Sequence, residues 1–144
     1  MLVSIQPHPD RRIMVLARES GHTSEGVTGM SQFLILIYDD ENAWMNAAPG
    51  VAQKLMDDHN AFGQKYGEAI LGGNALESVT TATTLRRDGS DKFAVTDGPF
   101  VETKEALGGY YLVEAADLDA AIDMARDVPV LQGGLEVRPI MVFN

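Results

Sequence analysis

Apolar residues fall in short, separated runs along the chain, and each run has a readable period. Phe33-Leu34-Ile35-Leu36-Ile37-Tyr38 is continuously apolar, as expected of a strand covered by packed elements, and Asp39-Asp40-Glu41 ends it abruptly. Pro49 suits the first turn of a helix, where its missing N–H leaves nothing unpaired. From there Val51, Leu55, Phe62 and Tyr66 share one helical face, and Gly67 is placed to end it. Ala69 to Gly73 is a short apolar run closed by paired glycines. The threonine-rich segment Val79 to Leu85 reads as a strand. Arg87-Asp88-Gly89-Ser90 reads as a turn, and Lys92 to Thr96 as its hairpin partner. Gly108-Gly109 precedes a strand at Tyr110 to Glu114. Asp117 can cap the next helix, whose inner face is Leu118, Ala121, Ile122 and Ala125, and Pro129 stops it. The last strand is expected over Leu135 to Phe143, with Pro139 marking an edge or a bulge.

The order is β-α-β, a hairpin, then β-α-β again. Two such halves on one antiparallel sheet, with both helices on one face, predict an α+β fold of ferredoxin-like arrangement. The open face of such a sheet has to be covered, and pairing of two sheets predicts a homodimer. Residues 1–29 stand apart: Pro7-His8-Pro9 and Ser20 to Gly26 are loop-like and carry no sustained period. They are expected to be a flexible N-terminal extension before a domain over residues 30–144. The other reading of the segment is an arm folded over a partner subunit. His8 and His22 lie in it and are given no catalytic role.

Composition narrows the function. With 45% hydrophobic and 22% charged residues in 144, the chain is long enough for one packed core. The absence of cysteine excludes disulfides, thiolate zinc sites and thiol nucleophiles and fits a reducing, cytoplasmic setting. A formal net charge of −10 repels phosphate backbones and anionic lipid heads, which argues against nucleic acid and membrane as partners. No apolar run approaches the roughly 20 residues of a membrane helix.

The run from Val95 through Asp97-Gly98-Pro99-Phe100 to Gly109-Tyr110-Tyr111 resembles the signature of the YCII-related, DGPF-motif proteins. The likeness continues in Asp117 to Ala121, Glu136 to Pro139, Phe33 to Tyr38 and Asp58 to Gly63, and so spans residues 30–144. The resemblance implies a dimeric α+β barrel. It also implies a histidine–aspartate pair in a cleft, since such a pair has been suggested for related proteins. One branch of those relatives dehydrochlorinates an aromatic hydroquinone, and others are encoded near alternative sigma factors.

His59 is the first candidate for chemistry. At about 100° per residue it falls within the arc from Val51 to Tyr66, so its imidazole faces the sheet and is partly desolvated. The bland alternative is a core histidine bonded to a carbonyl or carboxylate. Asp97 is the second candidate, either as the acceptor that builds an Asx-turn in a loop stiffened by Gly98 and Pro99, or as the group that orients His59. Tyr38, Glu102 and Asp127 are candidate ligand contacts, while Lys104 reads as a solvated charge or an ion-pair partner and Trp44 as a packing residue or ligand-stacking lid. Tyr110 and Tyr111 must point to opposite faces, one to the core and one to a dimer interface. No ligand pair has metal spacing, and the paired glycines lack a phosphate-loop pattern. Two functions remain open: a cofactor-free enzyme using His59 and Asp97 for acid–base chemistry on a small polar or aromatic molecule, or a non-catalytic dimeric ligand-binding or accessory module.

Overall fold

A computed structural model describes residues 29–144. The extension expected over 1–29, with His8 and His22, therefore lies outside the described residues except for residue 29. Among the described residues, six strands and three α-helices follow in the order β1 (Ser31–Asp39), α1 (Glu41–Met45), α2 (Pro49–Tyr66), β2 (Ile70–Ala75), β3 (Thr83–Arg87), β4 (Phe93–Asp97), β5 (Ala106–Ala115), α3 (Leu118–Arg126) and β6 (Gly134–Pro139). Four strands make one antiparallel sheet in the order β2-β5-β1-β6, and β3-β4 pair separately as a hairpin. The fold is mixed α+β. No described helix is long and apolar enough to cross a membrane.

Alternation along β1 and β5 sorts the sheet into two faces. Phe33 and Ile35, opposite Val113 and Tyr111, form the buried face with Phe62 of α2 and Ala121, Met124 and Ala125 of α3. Leu34 and Leu36, opposite Leu112 and Tyr110, make up the other face and remain half-buried. Asp117 caps α3 as expected, its carboxylate accepting the Ala120 N–H at 2.8 Å. Leu118, expected on the inner face of that helix, is exposed, and Met124 fills the core there instead. In α2, Val51 is likewise exposed and the burial rests on Phe62.

Three element boundaries differ from the pattern. Val79–Thr81 is a turn of 3₁₀ helix, not the start of a strand. Ser78 accepts the Thr80 N–H at 3.3 Å, and the Thr81 hydroxyl donates to the Ser78 carbonyl at 2.7 Å. Such local side-chain bonds compete with a strand ladder. The strand expected from Tyr110 already begins at Ala106 and includes both glycines, because Ala106 and Leu107 pair with Asp39 and Tyr38 across a bulge in the ladder. The last strand stops at Pro139, on the edge of the sheet. Only the Ile140 N–H carries the pairing further, reaching the Gln32 carbonyl at 2.9 Å, and Met141 to Phe143 are exposed.

The acidic stop after β1 does more than break a strand. Asp39 accepts the backbone N–H groups of Leu131 at 2.7 Å and of Gln132 and Gly133 at 3.0 Å, clamping the approach to β6. A Cβ on Gly133 would lie 1.8 Å from the Tyr38 carbonyl oxygen, so only glycine allows that approach. Asp40 caps α1 through the Asn42 N–H at 2.9 Å. Glu41 takes the Ser78 hydroxyl at 2.9 Å and the Val79 N–H at 2.8 Å, fixing the 3₁₀ turn to the start of α1.

Candidate functional site

Tyr111 stands at the middle of β5 and points into the core, where it is only 3% exposed. Its ring lies over Gly73 of β2: a Cβ there would meet the ring Cδ1 at 2.7 Å, so glycine makes the bed in which the tyrosine rests. Phe62 packs on the other side, with ring centroids 4.7 Å apart and a 51° tilt. A buried tyrosine hydroxyl needs a partner. It finds one on α2, where Nδ1 of His59, one turn before Phe62, lies 2.8 Å from the Tyr111 oxygen.

His59 is half-buried, consistent with the sheet-facing position inferred from its helical arc. Burial holds its pKa below the ordinary value, opposed by the negative charge of neighbouring Asp58. Desolvation wins, so the ring is neutral at pH 7. Burial also pushes the Tyr111 phenol up to about 12, so it keeps its proton. The pair is therefore a neutral imidazole against a neutral phenol. A proton can lie on either side of the bond, and its position decides whether Nε2 carries a lone pair or an N–H.

The YCII-related domain family matches residues 31–144. The chain belongs to the YCII-related family. It is also 38% identical over 116 residues to an uncharacterised protein of Rhizobium meliloti (strain 1021), covering 78% of this chain and 94% of that relative.

In this YCII-related chain the other candidates lie apart from His59 in their contacts. Asp97 is exposed at the end of β4. Among the described residues, the bonds that hold its loop come from elsewhere, and the Asx-turn expected of Asp97 is not formed. The Gly98 N–H donates to the Ala82 carbonyl at 2.8 Å, and the nearly buried Thr84 hydroxyl donates to the Gly98 carbonyl at 2.7 Å. Arg86 donates to the Phe100 carbonyl at 2.7 Å and stacks over the Phe100 ring at 3.8 Å. Gly98 does supply the expected conformational freedom, with φ at +102°.

Asp127 closes α3 and joins it to the end of α2. It accepts from Lys65 at 2.7 Å and from the Tyr66 hydroxyl at 2.5 Å, and those hydrogen bonds, that of Lys65 first, lower its pKa. Tyr38 is half-buried on β1, opposite Leu107 and Gly134. Glu102 is exposed and lines an open groove beside Pro99 and Val101. Among the described residues no three His, Asp or Glu side chains gather as a metal would require. The paired glycines lie mainly within strands, where they allow close backbone contacts. The residue that sequence reasoning missed is Tyr111 as the partner of His59. One signal pointed to it: a tyrosine directed at the core by strand alternation must bond something, and the domain has one histidine on the facing helix.

Proposed function

We propose that this protein is a cofactor-free enzyme of the DGPF branch that carries out acid–base chemistry on a small polar or aromatic molecule at His59. The observation that carries this reading is the 2.8 Å contact between His59 Nδ1 and the Tyr111 hydroxyl. In the reactive tautomer Nδ1–H donates to the Tyr111 oxygen, which leaves the Nε2 lone pair to take a proton from substrate. An imidazole kept neutral at pH 7 is ready for that step without prior deprotonation. The orienting part assigned to Asp97 on sequence grounds falls to Tyr111. Proton abstraction next to a carbonyl, isomerisation and elimination all suit one base of this kind.

The test is deuterium wash-in. Small carbonyl acids and phenolic ketones incubated with the protein in D₂O should gain deuterium beside the carbonyl, as read by proton NMR. The exchange should vanish in His59→Gln and fall in Tyr111→Phe. Failure of the wild-type protein to exchange any of them, or undiminished exchange in His59→Gln, would count against the reading.

The protein acts as a homodimer in this proposal, its ferredoxin-like sheet pairing with that of a second copy as a dimeric α+β barrel. Support comes from the half-buried second face, with Leu34, Leu36, Leu112 and Tyr110 side by side. Light scattering that gives a monomer mass at micromolar concentration would remove this part. The second reading, a non-catalytic ligand-binding module, draws support from the groove beside Glu102, which lies in a different part of the chain from His59.

A further inference from the structure

Two stretches of the chain leave both apolar side chains and backbone uncovered, and they lie at opposite ends of the sheet. The first follows β4. Phe100 and Val101 are exposed there, and among the described residues the N–H groups of Val101, Glu102 and Thr103 have no hydrogen-bond partner. Val101 lines an open groove of 290 Å³ with Val79, Pro99 and Ala106. The second stretch follows β6. Met141, Val142 and Phe143 are exposed, Phe143 by 80%, and pairing with β1 ends at the Ile140 N–H.

The register of β1 keeps the two stretches apart within one chain. Ala106, in the lining of the groove, pairs with Asp39, whereas the Ile140 N–H reaches the Gln32 carbonyl. From Gln32 to Asp39 the strand rises about 23 Å, at about 3.3 Å per residue. From Ile140 to Phe143 an extended chain spans at most about 11 Å. Phe143 therefore stays clear of its own groove, whose lining includes no residue beyond β6.

A two-fold axis across the strands removes this separation. When two sheets meet by their half-buried faces with strands running oppositely, the Gln32 end of one lies over the Asp39 end of the other. The chemistry of the two stretches matches at that point. Met141, Val142 and Phe143 are apolar, like Val79, Pro99, Val101 and Ala106. Their backbone carbonyls are acceptors for the unpaired N–H groups of residues 101–103, as when an extended segment adds to an open backbone edge. Charge favours the same contact. Each copy carries −10, so like charges oppose association, and an uncharged segment approaches Glu102 of the other copy at least cost.

We propose that residues 141–143 of a second copy dock in the groove after β4, in a reciprocal exchange across a two-fold axis. The groove is thus completed by the other copy. This inference rests on the sheet-to-sheet homodimer proposed above, and adds to it the relative direction of the strands and a second contact.

The chain has no cysteine, so introduced thiols are unique. Full-length Val101→Cys labelled with ¹⁵N is mixed with unlabelled Phe143→Cys and treated with a short bismaleimide. Mass spectrometry should find the covalent pair of one labelled and one unlabelled chain. Leu118→Cys, exposed at the start of α3 near the Ser31 end of the sheet, should give none in place of Val101→Cys. Phe143→Asp should raise the dimer dissociation constant by about tenfold to hundredfold, as expected when one buried phenylalanine is lost. Phe143 is exposed within its own chain, so that variant keeps the fold, which circular dichroism verifies. A dimer by light scattering that gives no cross-link between positions 101 and 143, that cross-links through Leu118→Cys instead, or that keeps its dissociation constant in Phe143→Asp overturns the exchange and leaves sheet pairing intact. A monomer mass at micromolar concentration removes both.

Discussion

The Tyr111 hydroxyl and Nδ1 of His59 lie 2.8 Å apart, joining the middle of the central strand β5 to helix α2. The contact is between a phenol that keeps its proton and an imidazole that resists gaining one. The Tyr111 ring is held by its packing against Gly73 and Phe62.

Tyr111→Phe keeps the ring packing and removes the bond. The expected loss is about 1 kcal/mol in urea denaturation, the usual net value of one hydrogen bond. The ¹⁵N shifts of the His59 ring should move with it, because Nδ1 loses the partner that sets its tautomer. Unchanged ring shifts would mean that the hydroxyl does not engage the imidazole in solution.

The pH dependence follows from the lowered pKa of His59. Below the ordinary histidine value near 6.5, the unfolded chain binds a proton that the folded chain refuses. Stability from this residue is therefore complete above about pH 6.5 and falls as the pH drops toward the folded-state pKa. Denaturation midpoints between pH 5 and pH 8 should show this decline in the wild type and a shallower slope in His59→Gln.

Asp39→Ala removes at once the acceptor of the Leu131, Gln132 and Gly133 N–H groups and of the Asp40 N–H. A loss of roughly 2–4 kcal/mol is expected, with Asp39→Asn losing less because it keeps one carbonyl oxygen. Hydrogen exchange should accelerate at Leu131, Gln132 and Gly133 before other amides of the domain. An unaltered exchange pattern would show that the clamp is dispensable.

Gly98→Ala places a Cβ at a φ of +102°, which strains the loop whatever the space around it. A loss of about 1–2 kcal/mol is expected there. Asp97→Ala, at an exposed side chain, should change stability by less than about 0.5 kcal/mol. Calorimetry of the two variants tests whether glycine or aspartate makes this loop structural.

Much of the architecture was legible because strand and helix periods separate cleanly along the chain. The continuous apolar run at Phe33 to Tyr38, the cap at Asp117 and the edge proline at Pro139 all carry local signals. His59 was legible for the same reason, its place on the helical arc fixing the face it presents. Asp97 and Asp127 were harder, because a carboxylate's role depends on which distant donor reaches it. Asp39 shows this most clearly: three acidic residues in a row look alike, yet their partners are the β6 approach, the α1 terminus and the 3₁₀ turn. The 3₁₀ turn itself defeated a strand reading because Ser78 and Thr81 bond locally, a competition that β propensity leaves out.

The β3-β4 hairpin carries a further consequence. Every residue of its two strands except Thr84 is exposed, and its ladder is its own rather than part of the larger sheet. With so little burial to hold it, the hairpin is expected to open at a lower free energy than the four-stranded sheet, before global unfolding. The Gly98 and Thr84 bonds close the base of this loosely held flap by tying the ends of its two strands to each other. Amides of Arg86 and Val95 should exchange by sub-global opening, while those of Val113 and Ile35 wait for the whole molecule.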